Sequence, residues 1–264
     1  MPIAHLNGQD LYFEDSGGDG PAVIFSHGLL MDSSMFEPQV AALKSRYRCI
    51  VWDERGHGRT ATDTCTPFTY YDSANDLAAL LAHLGVQRAV LAGMSQGGYL
   101  SLRCALTHPA LVRALILIDT QAMLEDPAQM PHHQALVEDW VTNGLSDANA
   151  QVIEHIILGD GWPGAAPWHT KWKQTLPVNL LQCFTTLAAR DDISDRVPEI
   201  AVPALVVHGE SDQAIDLSRA MAMANALPNA HVVTVPGAGH AANLTHPTAV
   251  NPAIEKFLAS LDRE

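Results

Sequence analysis

The feature that most constrains the fold is a series of short apolar, β-branched runs that do not alternate with polar residues: residues 22–26, 48–52, 89–92, 115–118, 204–207 and 231–235. A strand with one wet face alternates, whereas an unalternating run implies burial on both faces, the condition of a parallel sheet covered by helices. Between the first four runs, residues 36–43, 73–84 and 98–106 carry apolar side chains at helical spacing. Strand and helix in strict alternation predict a doubly wound α/β sheet. Two earlier runs, residues 3–5 and 9–15, are joined by Asn7-Gly8. That dipeptide suits the positive φ angles of a tight turn, so an antiparallel edge is expected there.

The alternation breaks between residues 120 and 200, where helical stripes continue but no strand pattern appears. Leu136, Val137, Trp140 and Val141 fall on one helical face, as do Val152, Ile153, Ile156 and Ile157, then Leu180, Leu181 and Phe184. The expected organisation is a core of residues 1–119 and 201–264 with an inserted cap, residues 120–200, of three or four short helices. With 47% apolar and 17% charged residues, the chain has enough apolar surface for one large core.

A net charge of −14 repels phosphate backbones and anionic lipid, which argues against nucleic acid or membrane as partner. The first residues carry no basic segment followed by an apolar one, and no run of about 18 apolar residues occurs, so a cytoplasmic protein is expected. Cys49, Cys65, Cys104 and Cys183 are scattered without metal-ligand spacing and read as buried thiols; no metal and no cofactor is expected.

Chemistry concentrates at Gly93-Met94-Ser95-Gln96-Gly97-Gly98, directly after an apolar run and directly before a helical segment. A serine forced out of a sheet by a sharp strand-to-helix turn needs glycines on both sides, because neighbouring backbone passes close to it. Here the sequence resembles the α/β-hydrolase family, whose GxSxG nucleophile elbow is matched at all its fixed positions, and the resemblance covers nearly the whole chain. It implies a mostly parallel, eight-stranded sheet flanked by helices with a helical cap, and Ser95 as nucleophile.

A serine hydroxyl needs an imidazole to take its proton and a carboxylate to orient that imidazole. Among thirteen histidines, His240 stands apart in Pro236-Gly-Ala-Gly-His240, a glycine-bearing loop beyond a predicted strand. The resemblance places the catalytic histidine there. Asp212 follows the run 204–207, one strand–helix–strand unit before His240, so both reach the same sheet edge. The order Ser95, Asp212, His240 matches this fold. Glu210, Asp216 and Asp119 are alternative acids, the last because some relatives carry the acid after the equivalent of run 115–118. His5, His132, His133, His155 and His231 read as solvated or packed.

The resemblance assigns the oxyanion donors to the backbone N–H of Gln96 and of Leu29 in His27-Gly28-Leu29-Leu30. Asp53-Glu-Arg-Gly-His-Gly-Arg59 looks like the family's Asp-x-Arg-Gly-His-Gly loop, with a structural rather than catalytic role for His57. Leu30 and the cap tryptophans Trp140, Trp162, Trp168 and Trp172 are candidates for an apolar substrate pocket, although tryptophans also serve to fix cap helices to a sheet.

The reaction expected is hydrolysis of a small, largely hydrophobic ester or lactone through an acyl-enzyme, rising with pH through roughly 6 to 7 as the histidine deprotonates. C–C bond hydrolysis and cofactor-free perhydrolysis use the same triad. A ligand-sensing receptor with little turnover is the alternative of another class. A serine at the elbow argues against dehalogenases and epoxide hydrolases of this fold, which place an aspartate there.

Overall fold

The computed structural model describes residues 2–60 and 66–262; Cys65 lies outside them. Eight strands form one sheet: β1 (Ile3–Leu6), β2 (Gln9–Asp15), β3 (Ala22–Ser26), β4 (Arg48–Trp52), β5 (Ala89–Met94), β6 (Val112–Ile118), β7 (Ala204–Gly209) and β8 (Ala230–Val235). The spatial order is β1-β2-β4-β3-β5-β6-β7-β8. Only β2 runs against its neighbours, and β3 to β8 are parallel. At the expected hairpin, Asn7 and Gly8 both take positive φ, 49° and 75°.

Helices α1 (Glu37–Leu43), α2 (Tyr70–His83) and α3 (Gln96–Thr107) connect successive parallel strands. Thr69 and Asp72 cap α2 reciprocally, each side chain accepting the other's backbone N–H, which sets its start three residues before the apolar stripe. Between β6 and β7 lie α4 (Met130–Asn143), α5 (Asp147–Ile157), α6 (Ala165–Lys173) and α7 (Pro177–Ala188), with no strand among the described residues. The chain ends with α8 (Leu217–Ala226), the short α9 (Ala242–Thr245) and α10 (Pro247–Leu261). None of these helices is long and apolar enough to cross a membrane.

Strands β3, β5 and β7 are buried at every position. The expectation fails at β8, where Val232 is 37% exposed and only Val235 is fully buried. β8 is the last strand of the sheet, and an apolar run does not reveal which strand has a neighbour on one side only. Cys49, Cys104 and Cys183 are buried, as expected.

The strand order reverses at β3: the chain passes from β3 to β4 on one side and then returns to β5 on the other. The loops leaving β3 and β5 therefore part in opposite directions, opening a crevice at the carboxyl edge. Ser26 pairs with Gly93, so the ends of β3 and β5 are level and His27-Gly28-Leu29 faces the turn at Ser95.

The loop after β4 is fastened beneath this edge. Asp53 accepts the amides of Ser33 and Arg59 at 2.7 and 2.8 Å. Arg55 makes a bidentate pair with Asp76 of α2, whose side chain is wholly buried, and Asn7 donates to the same carboxylate at 2.9 Å. Asp76→Ala strands a buried guanidinium, and urea unfolding is expected to register a loss of about 3–5 kcal/mol; a loss below about 1 kcal/mol would mean that Arg55 finds water instead.

Candidate active site

Ser95 links β5 to α3 with φ 51° and ψ −115°, a conformation that costs on the order of 1–3 kcal/mol for a residue with a side chain. Neighbouring chain holds it there: Ser95 N donates to Ile118 O at 2.9 Å and the Thr120 hydroxyl to Ser95 O at 2.8 Å. The flanking glycines are steric requirements. A Cβ on Gly93 would lie 2.1 Å from Gly97 O, and one on Gly97 would lie 1.9 Å from Ser26 O. The turn thus fits only where β3, β5 and α3 approach backbone to backbone.

Ser95 Oγ lies 2.9 Å from His240 Nε2, and His240 Nδ1 lies 2.9 Å from Asp212 Oδ2. The second oxygen of Asp212 accepts the amides of Ala214 and Ile215 at 2.8 and 3.0 Å, which fixes the carboxylate plane. The three residues leave β5, β7 and the loop after β8, as their positions in the sequence led us to expect. Burial opposes charging of the His240 imidazole, but the Asp212 carboxylate and its hydrogen bond outweigh it and hold the ring above its ordinary value.

The alternative acids are engaged elsewhere. Glu210 accepts the Thr234 hydroxyl at 2.8 Å, and Asp216 caps α8. Asp119 is wholly buried and gives one oxygen to Gly209 N at 2.8 Å and the other to Ala242 N at 2.9 Å. Burial, together with the nearby Asp212 charge, pushes the Asp119 carboxyl well above the usual range. Asp119, His208 and Asp212 bring three ligand-type atoms within 4.8 Å of one another. Two of those groups are already committed, however: Asp212 to the His240 ring and Asp119 to two amides.

The turn Gly28-Leu29-Leu30-Met31 closes with Met31 N donating to Gly28 O at 3.1 Å and with Leu30 at φ 63°. Among the described residues no acceptor is assigned to the amides of Leu29 or Gln96, the two proposed donors. Glu54 ties their loops together: its amide donates to His27 Nε2 at 2.9 Å and its carboxylate accepts the Gln96 side chain at 2.5 Å. This link was missed in the sequence, where Glu54 occupies a variable position of a loop motif. His57 is packed beneath, its Nδ1 2.9 Å from Arg55 O, with burial and His27 lowering its pKa to about 3.

A cavity of about 120 Å³ reaches Ser95 and His240 and is walled by Leu29, Leu30, Val137, Ile153, Ile157 and Phe184 among others. Leu30 lines it as expected, but Trp140, Trp162, Trp168 and Trp172 do not. Trp140, Trp168 and Trp172 are buried in the core, and Trp162 packs partly buried against it. Trp172 Nε1 donates to Leu30 O at 2.9 Å, so this ring fastens α6 to the turn after β3. Tyr99, Glu125 and His133 also line the cavity and were not expected there. Only the histidine pair at 132–133 was visible in the sequence, and it read as solvated or packed.

Residues 21–161 match the alpha/beta hydrolase fold family, and residues 169–264 match a family described as TAP-like protein. The chain belongs to the α/β-hydrolase family. It is 30% identical to a putative carbamate hydrolase RutD of Caulobacter sp. (strain K31), over 94% of this chain and 96% of that protein. Its structure is similar to the enol-lactonase from Burkholderia xenovorans LB400 (TM-score 0.89, 27% identity, 98% and 100% of the two chains). It is also similar to a thermophilic esterase from Thermogutta terrifontis (TM-score 0.87, 27% identity, 98% and 97%).

The steric requirement at the elbow is directly testable. Gly97→Ala forces a methyl group into the Ser26 carbonyl and is expected to cost about 3 kcal/mol or more in urea unfolding. An unchanged midpoint would contradict the backbone packing described.

Proposed function

We propose that this α/β-hydrolase cleaves a carboxylic ester or lactone of a small, largely apolar substrate through an acyl-enzyme, with Ser95 as nucleophile, His240 as base and Asp212 as the acid that orients it. The observation that carries the reading is the unbroken relay from Ser95 Oγ through His240 to Asp212, at 2.9 Å in each step, opening into an apolar cavity.

In this reading Ser95 attacks the substrate carbonyl while His240 Nε2 takes the hydroxyl proton. The charge developing on the carbonyl oxygen meets the amides of Leu29 and Gln96. The latter sits at the start of α3, where the helix dipole adds to the stabilisation. His240 then passes the proton to the departing alcohol oxygen. A water activated by the same ring attacks the acyl-enzyme, releases the acid and restores Ser95. Asp212 holds the tautomer with Nδ1 protonated and offsets the imidazolium charge. The helices between β6 and β7 act as a lid over the acyl group.

The cavity, about 120 Å³, is well below the roughly 300–1,000 Å³ of drug-sized sites, which favours a short acyl group. The names of the esterase, the enol-lactonase and the carbamate hydrolase all describe attack on a carbonyl bearing a heteroatom leaving group, the chemistry proposed here.

Treatment with a serine-directed phosphonate is expected to label the Ser95 peptide once, and Ser95→Ala is expected to lose turnover of p-nitrophenyl acetate by at least about a thousandfold. Equal activity in both proteins, with no adduct at Ser95, would remove the reading. The pH profile carries a sign. Protonated His240 cannot accept the serine proton, and its pKa is raised, so kcat/KM falls as pH drops through a value above about 6.5. Activity held constant down to about pH 5 would exclude His240 as the base.

A further inference from the structure

The cavity is not apolar throughout. Among the side chains that line it is one carboxylate, Glu125, whose side chain is 11% exposed and whose Oε1 accepts the Tyr99 hydroxyl at 3.2 Å and Arg190 Nη1 at 2.9 Å. No partner within the described residues is assigned to its Oε2. Arg190 itself is not among the residues that line the cavity. Its side chain is 3% exposed, it donates to the carbonyls of Leu187 and Met123 at 3.0 and 2.8 Å, and it stacks 4.3 Å above the Tyr99 ring. Apart from Tyr99 and the proposed base His240, the titratable side chain that accompanies Glu125 among the described cavity residues is His133, whose imidazole is held below its ordinary value by burial, against the pull of Glu125. It is therefore neutral at pH 7.

We infer that Glu125 is a specificity residue that receives a hydrogen-bond donor, a hydroxyl or amide N–H, at the distal end of an uncharged acyl group bound to Ser95. The inference rests on the hydrolytic reading above and deepens it. The charge on Glu125 is already offset by Arg190, so the pair is neutral as a unit and a neutral donor completes it without burying a net charge. A substrate carboxylate would enter beside Glu125 with no uncommitted cation to meet it. A purely aliphatic end would displace water from the carboxylate and return nothing. The chain is thereby set against dicarboxylic substrates and towards hydroxylated or amidated esters and lactones of similar size.

Three methyl esters whose acyl groups have six heavy atoms each discriminate these cases with wild-type protein, hydrolysis being followed by proton release: methyl 3-hydroxybutyrate, methyl 3-methylbutyrate and monomethyl malonate. The hydroxyl ester is expected to exceed each of the others in kcat/KM by about tenfold or more, the scale of one hydrogen bond to a charged group. Rates for the 3-methyl ester or for monomethyl malonate that equal or exceed it would overturn the inference while leaving the hydrolase reading intact. Failure of wild type to cleave these esters or p-nitrophenyl acetate would remove both. In the double variant Glu125→Leu/Arg190→Met both partners of the buried pair are replaced by apolar side chains of similar length, which avoids the stranded charge that a single change would leave. With folding checked by circular dichroism, its hydroxyl-to-methyl ratio is expected to fall to about one or below. Retention of the wild-type ratio would overturn the assignment to Glu125.

Discussion

The structure depends on one strained residue. Ser95 can sit at positive φ only because the strands on either side of β5 and the first turn of α3 close around it without side chains. Gly93 and Gly97 are the contact points, and Ile118 O and the Thr120 hydroxyl hold its backbone from β6. The strain is outweighed by burial of β3, β5 and β6, which are closed to water at nearly every position. In return the hydroxyl is lifted clear of the sheet, at the helix terminus where orphan amides collect. The proposed nucleophile, its donors and its base therefore share one sheet edge because the backbone leaves them no other place.

Much of this was legible beforehand because it is written in backbone requirements. Unalternating runs identify buried strands, and a serine between glycines after such a run identifies the turn. The rule that loops after neighbouring parallel strands meet brings Asp212 to the histidine, His240, that the resemblance to the α/β-hydrolase family implies. The sequence could not say that β8 lies at the edge, because an apolar run looks the same with one neighbour or two. Nor could it place the tryptophans. A large ring satisfies a packing role and a pocket-lining role equally well, and only the position of α6 shows that Trp172 serves to anchor Leu30.

The polar end of the cavity was invisible for a different reason. Glu125 lies in the loop before α4, with no periodicity or motif around it, and its significance comes from Arg190, sixty-five positions later, and from Tyr99, twenty-six earlier. Glu54 is a similar case: it acts through contacts to residues 27 and 96 that no local pattern announces. Chemistry that rests on chain-distant pairs becomes readable only once the fold has closed.

Asp119 fastens the strand end that leads to Asp212 and the helix start that follows His240, through one carboxylate and two amides. Its two oxygens sit on one rigid plane, so a displacement of the β6 terminus carries both loops in the same direction. The spacing between orienting acid and base is insulated from such motion, as in an instrument whose two arms hang from a single pivot. What remains free to vary is the approach of that joined pair to Ser95. In the proposed mechanism, a shift of the sheet edge would therefore alter how closely the base reaches Ser95 and leave its hydrogen bond to the acid as it is.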